Sequence, residues 1–266
     1  MAFRYHEYDG LVWSVSDRIP LPHAFTARLG GVGESPYAGA RPEEERREEL
    51  LARIRDSWLR LSRGGGFPEG YCLTRQVHGN LVRRTAGEDM AMPPLTVLPP
   101  ECDGLCTDRP GVPLAVFTAD CIPVLLCDPE VPAAAALHCG WRGTALDMAG
   151  AGVKAILERG GRAGRICAAI GPGIGGCCFE TGGEVPEAMD RLLGPEGREV
   201  WRPEEGVPGK FLVDLKEANR RRLLQLGVPA GQIDVSPDCT MCRRDLYWSH
   251  RATRGVRGTQ VSVIMI

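Results

Sequence analysis

The sequence predicts an α+β protein in which mixed β-sheets are flanked by helices, and we expect residues 1–266 to form one domain. Predicted strands outnumber predicted helices, and the helices lack the regular strand–helix alternation of a doubly wound parallel sheet. The chain shows no internal repeat, and no segment is rich enough in Gly, Ser or Pro to divide it. With 266 residues, 43% of them hydrophobic, the chain can bury a large core.

The centre of the predicted sheet is the segment 112–143, which contains two apolar runs. The first run is interrupted only by Asp120 and Cys121, and the second ends at His138. Because apolar strands are held by the packing of their neighbours, they can fix the direction of a side chain at their ends. We therefore expect Cys121 and His138 to be positioned for chemistry.

Shorter apolar or alternating segments predict the remaining strands. The predicted strand at residues 23–28 runs into a Gly-rich loop at residues 30–33. The Pro-rich segment 92–100 has no periodicity, which predicts an irregular loop. The predicted strands cover residues 11–15, 23–28, 71–77, 81–82, 165–170, 211–213, 232–235 and 259–266.

Four segments carry apolar residues at helical spacing. We expect Thr144 to cap the second helix, and Asp214 to cap the fourth with Glu217 as its capping-box partner. The predicted helices cover residues 43–61, 145–157, 184–193 and 215–226.

Composition excludes several classes of protein. The formal net charge of -2 gives no electrostatic reason to expect a nucleic-acid or anionic-membrane partner. The amino terminus has no apolar signal-peptide core, and no apolar stretch approaches the ~20 residues that span a bilayer. We therefore expect a cytoplasmic protein. Its eleven cysteines are then expected to be reduced, and most of them to be small buried hydrophobic residues.

His78, Cys121 and His138 form the main candidate site. Each follows an apolar strand, and two imidazoles with one thiolate are suitable ligands for zinc. Three protein ligands leave a fourth coordination position open, which is the pattern of catalytic rather than structural zinc. The alternative is that the histidines are core or turn residues and that Cys121 only packs. The zinc hypothesis requires both imidazoles to lie within about 6 Å of the sulfur.

Charged residues flank these candidates. Asp120 either accepts a hydrogen bond from a ligand imidazole, holds a substrate hydroxyl, or is a turn residue. Arg75 and Arg142 each lie within four residues of a candidate ligand, and guanidinium groups favour phosphate or carboxylate. Their alternative is an ordinary place on the surface.

A second Gly-rich segment, residues 171–176, matches the G-x-G-x-x-G pattern. Pro172 lies inside the turn and no clean helix begins there, so we reject a dinucleotide-binding fingerprint. A loop that exposes its backbone near the site is still compatible with the pattern.

Cys239 and Cys242 form a C-x-x-C motif. Cys102 and Cys106 could complete four thiolates, although their spacing is unusual for a zinc ribbon. The motif lacks the βαβ context of a thioredoxin-type redox site. The chain has no H-x-E motif, which excludes the cytidine-deaminase signature.

With these motifs, the chain resembles the YfiH/LACC1 family, also called the multicopper polyphenol oxidase or laccase-domain family. The resemblance extends over nearly the whole chain in the family's order. Cys139 stands where the family usually has Ala, and residues 247–250 replace a more aromatic Phe-Phe-Ser-Tyr. The resembling segments are 23–26 with Arg28, 30–32, 76–79, 118–126, 138–143, 171–175, 179–180, 239–240 and 248–251.

The resemblance implies layered mixed sheets flanked by helices, similar to cysteine hydrolases of the cytotoxic-necrotizing-factor type. It implies a zinc ion held by His78, Cys121 and His138, and the older family name leaves copper possible. The implied reactions are phosphorolysis of adenosine, inosine, guanosine and methylthioadenosine to the base and ribose 1-phosphate, and adenosine deamination. The implied partners are purine nucleosides and phosphate, bound by a monomer or small homo-oligomer.

Phosphorolysis needs cationic groups that bring phosphate to the sugar C1′ carbon. We expect Arg75, Arg142 and Arg28 to be candidates for binding phosphate, and Gln76 and Asp120 to contact substrate. Cys139 could compete for the metal or be inert.

Three other functions are compatible with the residues. One is a metal-free hydrolase with Cys121 as nucleophile and His138 as base. Another is a copper-dependent polyphenol oxidase, although multicopper sites need many more than five histidines. The third is a non-catalytic protein in which zinc only stabilises the fold.

Overall fold

The computed structural model describes residues 3–28, 44–91, 99–255 and 257–266, and for residues 44–54 only the backbone. The strands are β1 (Phe3–Tyr8), β2 (Leu11–Ser16), β3 (His23–Thr26), β4 (Val82–Arg84), β5 (Gly104–Thr107), β6 (Leu114–Thr118), β7 (Ile122–Asp128), β8 (Ala133–Cys139), β9 (Cys167–Ile170), β10 (Glu180–Thr181), β11 (Trp201–Pro203), β12 (Phe211–Val213), β13 (Ile233–Val235) and β14 (Gln260–Ile264). The helices are α1 (Glu44–Gly65), α2 (Trp141–Ala145), α3 (Met148–Leu157), α4 (Glu184–Leu193), α5 (Leu215–Gln225) and α6 (His250–Thr253).

Within the described ranges, the strands form three sheets. The first has the order β1-β2-β3-β14-β6 and is antiparallel throughout. The second has the order β13-β9-β7-β8-β5-β4 and is mixed, because β13 with β9 and β4 with β5 pair in parallel. A small third sheet has the order β10-β12-β11.

The two large sheets stack between helices, and strand alternation builds the core on each side of them. In β7, Val124 and Leu126 face the cluster under α3, α4 and α5, whereas Leu125 and Cys127 face the five-stranded sheet. Trp58 of α1 packs with residues of β2 and β14 on the outer face of the five-stranded sheet. The order of layers is therefore α1, five-stranded sheet, six-stranded sheet, and α3 with α4 and α5.

The candidate site lies where the chain passes from one large sheet to the other. β6 belongs to the five-stranded sheet and β7 to the six-stranded sheet, and residues 119–121 connect them. His138 lies near the end of β8, opposite Pro123 of β7. The α+β architecture of sheets flanked by helices confirms the predicted fold class.

The predicted strand at residues 71–77 is wrong. Tyr71, Cys72 and Arg75 each form an isolated bridge, to Ala91, Leu114 and Glu101 respectively, without a continuous ladder. The segment is extended but has three different pairing partners, which its apolar pattern could not reveal. Strands β1, β5, β10 and β11 were not predicted: β1 is largely exposed and forms a hairpin with β2, and the other three have only two to four residues.

The predicted second helix, residues 145–157, corresponds to α3, which begins later at Met148; the short helix α2 lies before it and was not predicted. Asp147, with a left-handed φ of 64°, begins α3 and accepts a hydrogen bond from the backbone N–H of Gly150. Thr144 is therefore not the cap; it lies inside α2, and its hydroxyl accepts a hydrogen bond from Asn219. The sequence favoured Thr144 because it directly precedes Ala145, the first residue of the apolar stripe, whereas the stripe does not mark the interruption at Asp147.

Asp214 caps α5 as predicted, because its carboxylate accepts from the backbone N–H of Glu217. The Glu217 side chain is not a capping-box partner; it binds Arg220 and Arg221 instead. The Gly-rich loop at 30–33, Glu43 and most of the Pro-rich segment lie outside the described residues. Across the described ranges, every helix is too short or too polar to cross a membrane.

Candidate functional site

The structure brings His78, Cys121 and His138 together from three separate segments. Their ligand atoms all lie within 4.8 Å of one another, and Nε2 of His78 is 3.9 Å from Sγ of Cys121. The centres of the His78 and His138 rings are 5.0 Å apart, and the ring planes meet at 75°. His78 is exposed, Cys121 is half-buried and His138 is buried, so the site opens to solvent on the His78 side.

The turn that carries His78 is held by a single buried carboxylate. Asp103 accepts hydrogen bonds from the backbone N–H groups of Val77, His78 and Gly79 at 3.0, 2.9 and 2.8 Å. His78 has a left-handed φ of 62°, which is unfavourable for a residue with a Cβ. The three hydrogen bonds stabilise this conformation and direct the imidazole towards Cys121.

The same carboxylate orients the second imidazole. Nδ1 of His138 lies 2.7 Å from Oδ1 of Asp103, so Nε2 is the ring nitrogen of His138 that can bind a metal ion. Burial by itself would raise the pKa of Asp103, but hydrogen bonds from His138 and Gly79 outweigh it and lower that pKa. Asp103 is therefore a carboxylate that fixes both histidines.

Cys121 follows a strained residue. Asp120 has a φ of 88°, and its carboxylate accepts from the Thr240 hydroxyl at 2.6 Å and from the Arg251 backbone N–H at 2.7 Å. Its carbonyl accepts from the backbone N–H of Ile174 at 2.8 Å. These contacts fix the direction in which the chain leaves β6 and so the position of the Cys121 sulfur.

Asp120 is not the acceptor for a ligand imidazole, because Asp103 has that position. The sequence favoured Asp120 because it is adjacent to Cys121, whereas Asp103 reaches the site only through the pairing of β5 with β8. A substrate contact by Asp120 stays a prediction.

The thiol and the buried imidazole change each other's protonation. Burial would raise the pKa of Cys121, but the charge of His138 and hydrogen bonds with His138 and His78 lower it to about 6. Burial would lower the pKa of His138, but the Cys121 charge and the Asp103 hydrogen bond raise it to about 9. At neutral pH the metal-free site therefore contains a thiolate beside an imidazolium.

The three side chains fit a zinc ion. Bonds of about 2.0 to 2.3 Å in a tetrahedron separate nitrogen and sulfur by about 3.6 Å, close to the distance between His78 and Cys121. A Cβ added at Gly140 would lie 3.0 Å from the Cys121 sulfur and 3.0 Å from the His78 ring, so glycine keeps space beside both ligands. The Asp103–His138 hydrogen bond is the outer support that metal-bound histidines usually have.

Two of the predicted substrate residues have protein partners. The Gln76 amide donates to the Phe117 carbonyl and accepts from the Phe117 N–H, both at 2.7 Å, which ties the His78 segment to β6. Arg75 forms an ion pair with Glu101. Neither side chain is free in this arrangement.

Arg142 and Arg28 are exposed and stack on aromatic rings. The Arg142 guanidinium lies 4.5 Å from the Trp141 ring centre, and that of Arg28 lies 4.0 Å from the Trp248 ring centre. Among the described residues Arg142 has no carboxylate within 4.0 Å. Its charge is therefore available to an anion.

Two residues near the site were not found from the sequence. Asp103 is an acid directly before a short apolar run, which is a weak signal that could have been noticed. Arg257 is partly buried and interacts electrostatically with Cys121 and Asp120, although burial lowers its pKa. No motif around Arg257 pointed to this position.

Three other cysteines named in the sequence analysis, Cys139, Cys102 and Cys106, are buried and lie outside the site. Cys139 is fully buried in the core under α3, on the face of β8 opposite His138, and burial raises its pKa well above its ordinary value. Of the two roles considered for Cys139, this position favours an inert residue over a competitor for the metal. Cys102 and Cys106 are buried elsewhere, so the zinc-ribbon pairing with the C-x-x-C motif is wrong.

Comparison with known proteins gives similarities over nearly the whole chain. The family model described as multi-copper polyphenol oxidoreductase laccase matches residues 22–266. The purine nucleoside phosphorylase YlmD of Geobacillus stearothermophilus is 36% identical over 248 residues, which cover 90% of this chain and 88% of that relative. A crystal structure of YlmD from the same organism superposes with a TM-score of 0.86 at 32% identity and covers 99% of this chain and 98% of that one.

A shorter similarity joins the chain to a protein named adenosine deaminase RL5, from an unknown prokaryotic organism. The two are 39% identical over 149 residues, which cover 56% of each. The range matched by the family model contains every residue of the candidate site.

Proposed function

Since the chain belongs to the YfiH/LACC1 laccase-domain family and is an enzyme, we propose that it is a zinc-dependent purine nucleoside phosphorylase that also deaminates adenosine. The proposed substrates are adenosine, inosine, guanosine and methylthioadenosine, each with phosphate. The observation that carries the proposal is the convergence of His78, Cys121 and His138 beside a solvent-open face, in a chain whose relatives bear these two activity names.

His78, Cys121 and His138 would hold the zinc ion, which supplies a Lewis acid to the bound substrate. Asp103 keeps the Nδ1 proton of His138 in place and maintains the left-handed turn of His78. Asp120 fixes where the Cys121 sulfur lies. These residues preorganise the site, so little rearrangement is needed when substrate binds.

Phosphorolysis also needs a cation that brings phosphate to the sugar C1′ carbon and balances its charge. Arg142 is the first candidate, because it is exposed, lies four residues after His138 in the chain and has no carboxylate partner among the described residues. Arg28 is the second, since Trp248 holds its guanidinium flat. Arg75 must first leave Glu101, so it is the weakest of the three.

The products decide between the proposed reactions. Adenosine, inosine, guanosine and methylthioadenosine would be incubated separately with purified protein, with and without phosphate, and the products separated by chromatography. We expect free base and sugar 1-phosphate only when phosphate is present, and inosine from adenosine in either condition. Base release that ignores phosphate would contradict the phosphorylase proposal.

One specific observation favours a second candidate, a metal-free Cys–His hydrolase. The ligand atoms of Cys121 and His138 lie within 4.8 Å of each other, and the lowered pKa of the thiol with the raised pKa of the imidazole favours the thiolate–imidazolium pair that nucleophilic cysteines require. Turnover that survives complete removal of metal and yields free ribose would support this candidate.

The copper oxidase is tested in the same samples by oxygen consumption with a phenol. The cytoplasmic location and the small oligomer stay predictions.

A further inference from the structure

A second group of metal-ligand side chains lies outside the candidate site. It consists of Cys177 and Cys178, in the turn after β9, and Cys239 and Cys242, between β13 and α6. The four sulfurs all lie within 4.8 Å of one another. Cys242 Sγ is 3.6 Å from Cys177 Sγ and 3.4 Å from Cys178 Sγ.

These distances match a metal site better than disulfides. A disulfide bond is about 2.05 Å long, whereas four sulfurs at about 2.3 Å from one zinc ion are separated by about 3.8 Å. We propose that Cys177, Cys178, Cys239 and Cys242 bind a second zinc ion. Because four thiolates fill all tetrahedral positions, this ion is structural and has no open position for substrate.

The backbone around the cluster is built to accept close sulfur atoms. The N–H of Gly175 donates to Sγ of Cys239 at 3.2 Å. A Cβ at Gly175 would lie 3.2 Å from the Cys177 sulfur and 3.2 Å from the Cys239 Cβ. Glycine at position 175 therefore allows the two segments to approach, and its N–H group is the kind of outer support that orients metal ligands.

A buried cation next to the cluster supplies an independent observation. Lys216 is 6% exposed, and its ammonium donates to the carbonyls of Ser236 and Asp238 at 2.8 and 3.0 Å. No carboxylate among the described residues lies within 4.0 Å of it, and it lines the same cavity as Cys177 and Cys239. Four thiolates around a divalent ion carry a net charge of -2, which would add to the charges of Asp214 and Asp238 in balancing the buried lysine.

The second zinc ion joins the two segments that hold Asp120. Ile174, before Cys177, donates to the Asp120 carbonyl, and Thr240, after Cys239, donates to its carboxylate. A metal ion between these segments therefore stabilises the strained residue that positions Cys121. The inference does not depend on the proposed reaction.

Metal content per chain tests the inference. Purified wild-type protein and variants are loaded with zinc, freed of excess ion and measured by elemental analysis and native mass spectrometry. Wild type should retain two zinc ions, Cys242→Ala one, and Cys121→Ser one. Cys102→Ala is the matched control, because it also removes a cysteine but should retain two ions.

The two sites fail separately in this experiment. If the candidate active site holds no metal, wild type retains one ion and Cys242→Ala none. If Cys242→Ala retains as much zinc as wild type, the second site is refuted. A wild-type protein whose C-x-x-C cysteines are joined in a disulfide, or whose cluster holds iron instead, also refutes it.

Cobalt loading gives a readout that does not require the Cys242 variant to fold. Cys121→Ser protein loaded with Co²⁺ should keep the intense near-ultraviolet absorption of a cobalt ion bound to several thiolates. Loss of that absorption together with Cys121 would place all thiolate ligation at the first site and contradict the inference.

Discussion

Asp103 connects both histidines of the candidate site through one buried carboxylate. It binds three backbone N–H groups of the His78 turn and Nδ1 of His138. Sequence reasoning found the three side chains that meet at the site because each ends or follows an apolar run. It missed Asp103 because the contacts of this residue depend on strand pairing, which no local pattern specifies.

Replacing Asp103 tests whether it supports metal binding. In Asp103→Asn an amide cannot balance the three N–H donors and His138 together, so we expect zinc affinity at the first site to fall about 10- to 100-fold. Competition with a chelator measures this affinity. Glu101→Gln is the matched control, since Glu101 is a nearby acid that binds Arg75 and not the histidines. Equal affinity in both variants would contradict the role of Asp103.

The reactivity of Cys121 should show its lowered pKa. In metal-free protein the thiolate fraction rises with pH through about 6, so alkylation should reach half its maximal rate near that pH. An ordinary thiol would do so near about 8.5. The rate at Cys121 is measured by peptide mapping, which separates it from the exposed Cys177 and Cys242. Loaded zinc should protect Cys121, and an ordinary titration near 8.5 would refute the thiolate–imidazolium pair.

Replacing Arg142 should raise KM for phosphate more than KM for the nucleoside. A guanidinium that binds phosphate contributes roughly 1.5 to 3 kcal/mol, so Arg142→Ala should raise KM for phosphate about tenfold or more. The control is Arg198→Ala, because Arg198 also stacks on a tryptophan, Trp201, but in another part of the fold. Unchanged phosphate kinetics would remove Arg142 from this role.

At the scale of elements, helix α2 packs directly on the turn of His78. A Cβ at Gly143 would lie 2.9 Å from the carbonyl oxygen of Gly79, so only glycine allows this contact without a shift. Steric crowding of this kind typically costs about 1 to 3 kcal/mol. It should outweigh the gain of about 1 kcal/mol that Ala gives inside a helix.

We therefore expect Gly143→Ala to lower both the unfolding free energy and zinc affinity. Denaturant unfolding and chelator competition measure the two effects. Gly164→Ala is the control, because an added Cβ there meets no atom within 4 Å. A Gly143 variant as stable as wild type would show that the turn can move freely.

Most strands and helices were predictable, because their apolar patterns are local. The exceptions have physical reasons. The segment 71–77 pairs in turn with three partners, and Asp147 begins α3 from a left-handed conformation that sequence patterns do not reveal. The partners of the C-x-x-C motif were misassigned, since Cys177 and Cys178 approach it only after the turn beyond β9 and the segment beyond β13 have folded together.

At the scale of the whole molecule, the two stacked sheets create the site between them. In the five-stranded sheet, β14 lies between β3 and β6 and pairs with both. The sheet is therefore complete only when this strand, which comes late in the sequence, has joined it. Strands β7 and β8 are apolar on both faces and could have joined either sheet. The prediction that the sheets are layered therefore depended on the family resemblance, because the residue pattern alone could not assign these strands to a sheet.

The central claim is that the site of Cys121 and the two histidines catalyses phosphate-dependent cleavage of purine nucleosides. The most direct test is the initial rate of base release from inosine with and without phosphate, in wild type and Cys121→Ser. We expect phosphate-dependent release by wild type and a rate at least about 100-fold lower in the variant. Equal rates in the two proteins, or release without phosphate, would contradict the claim.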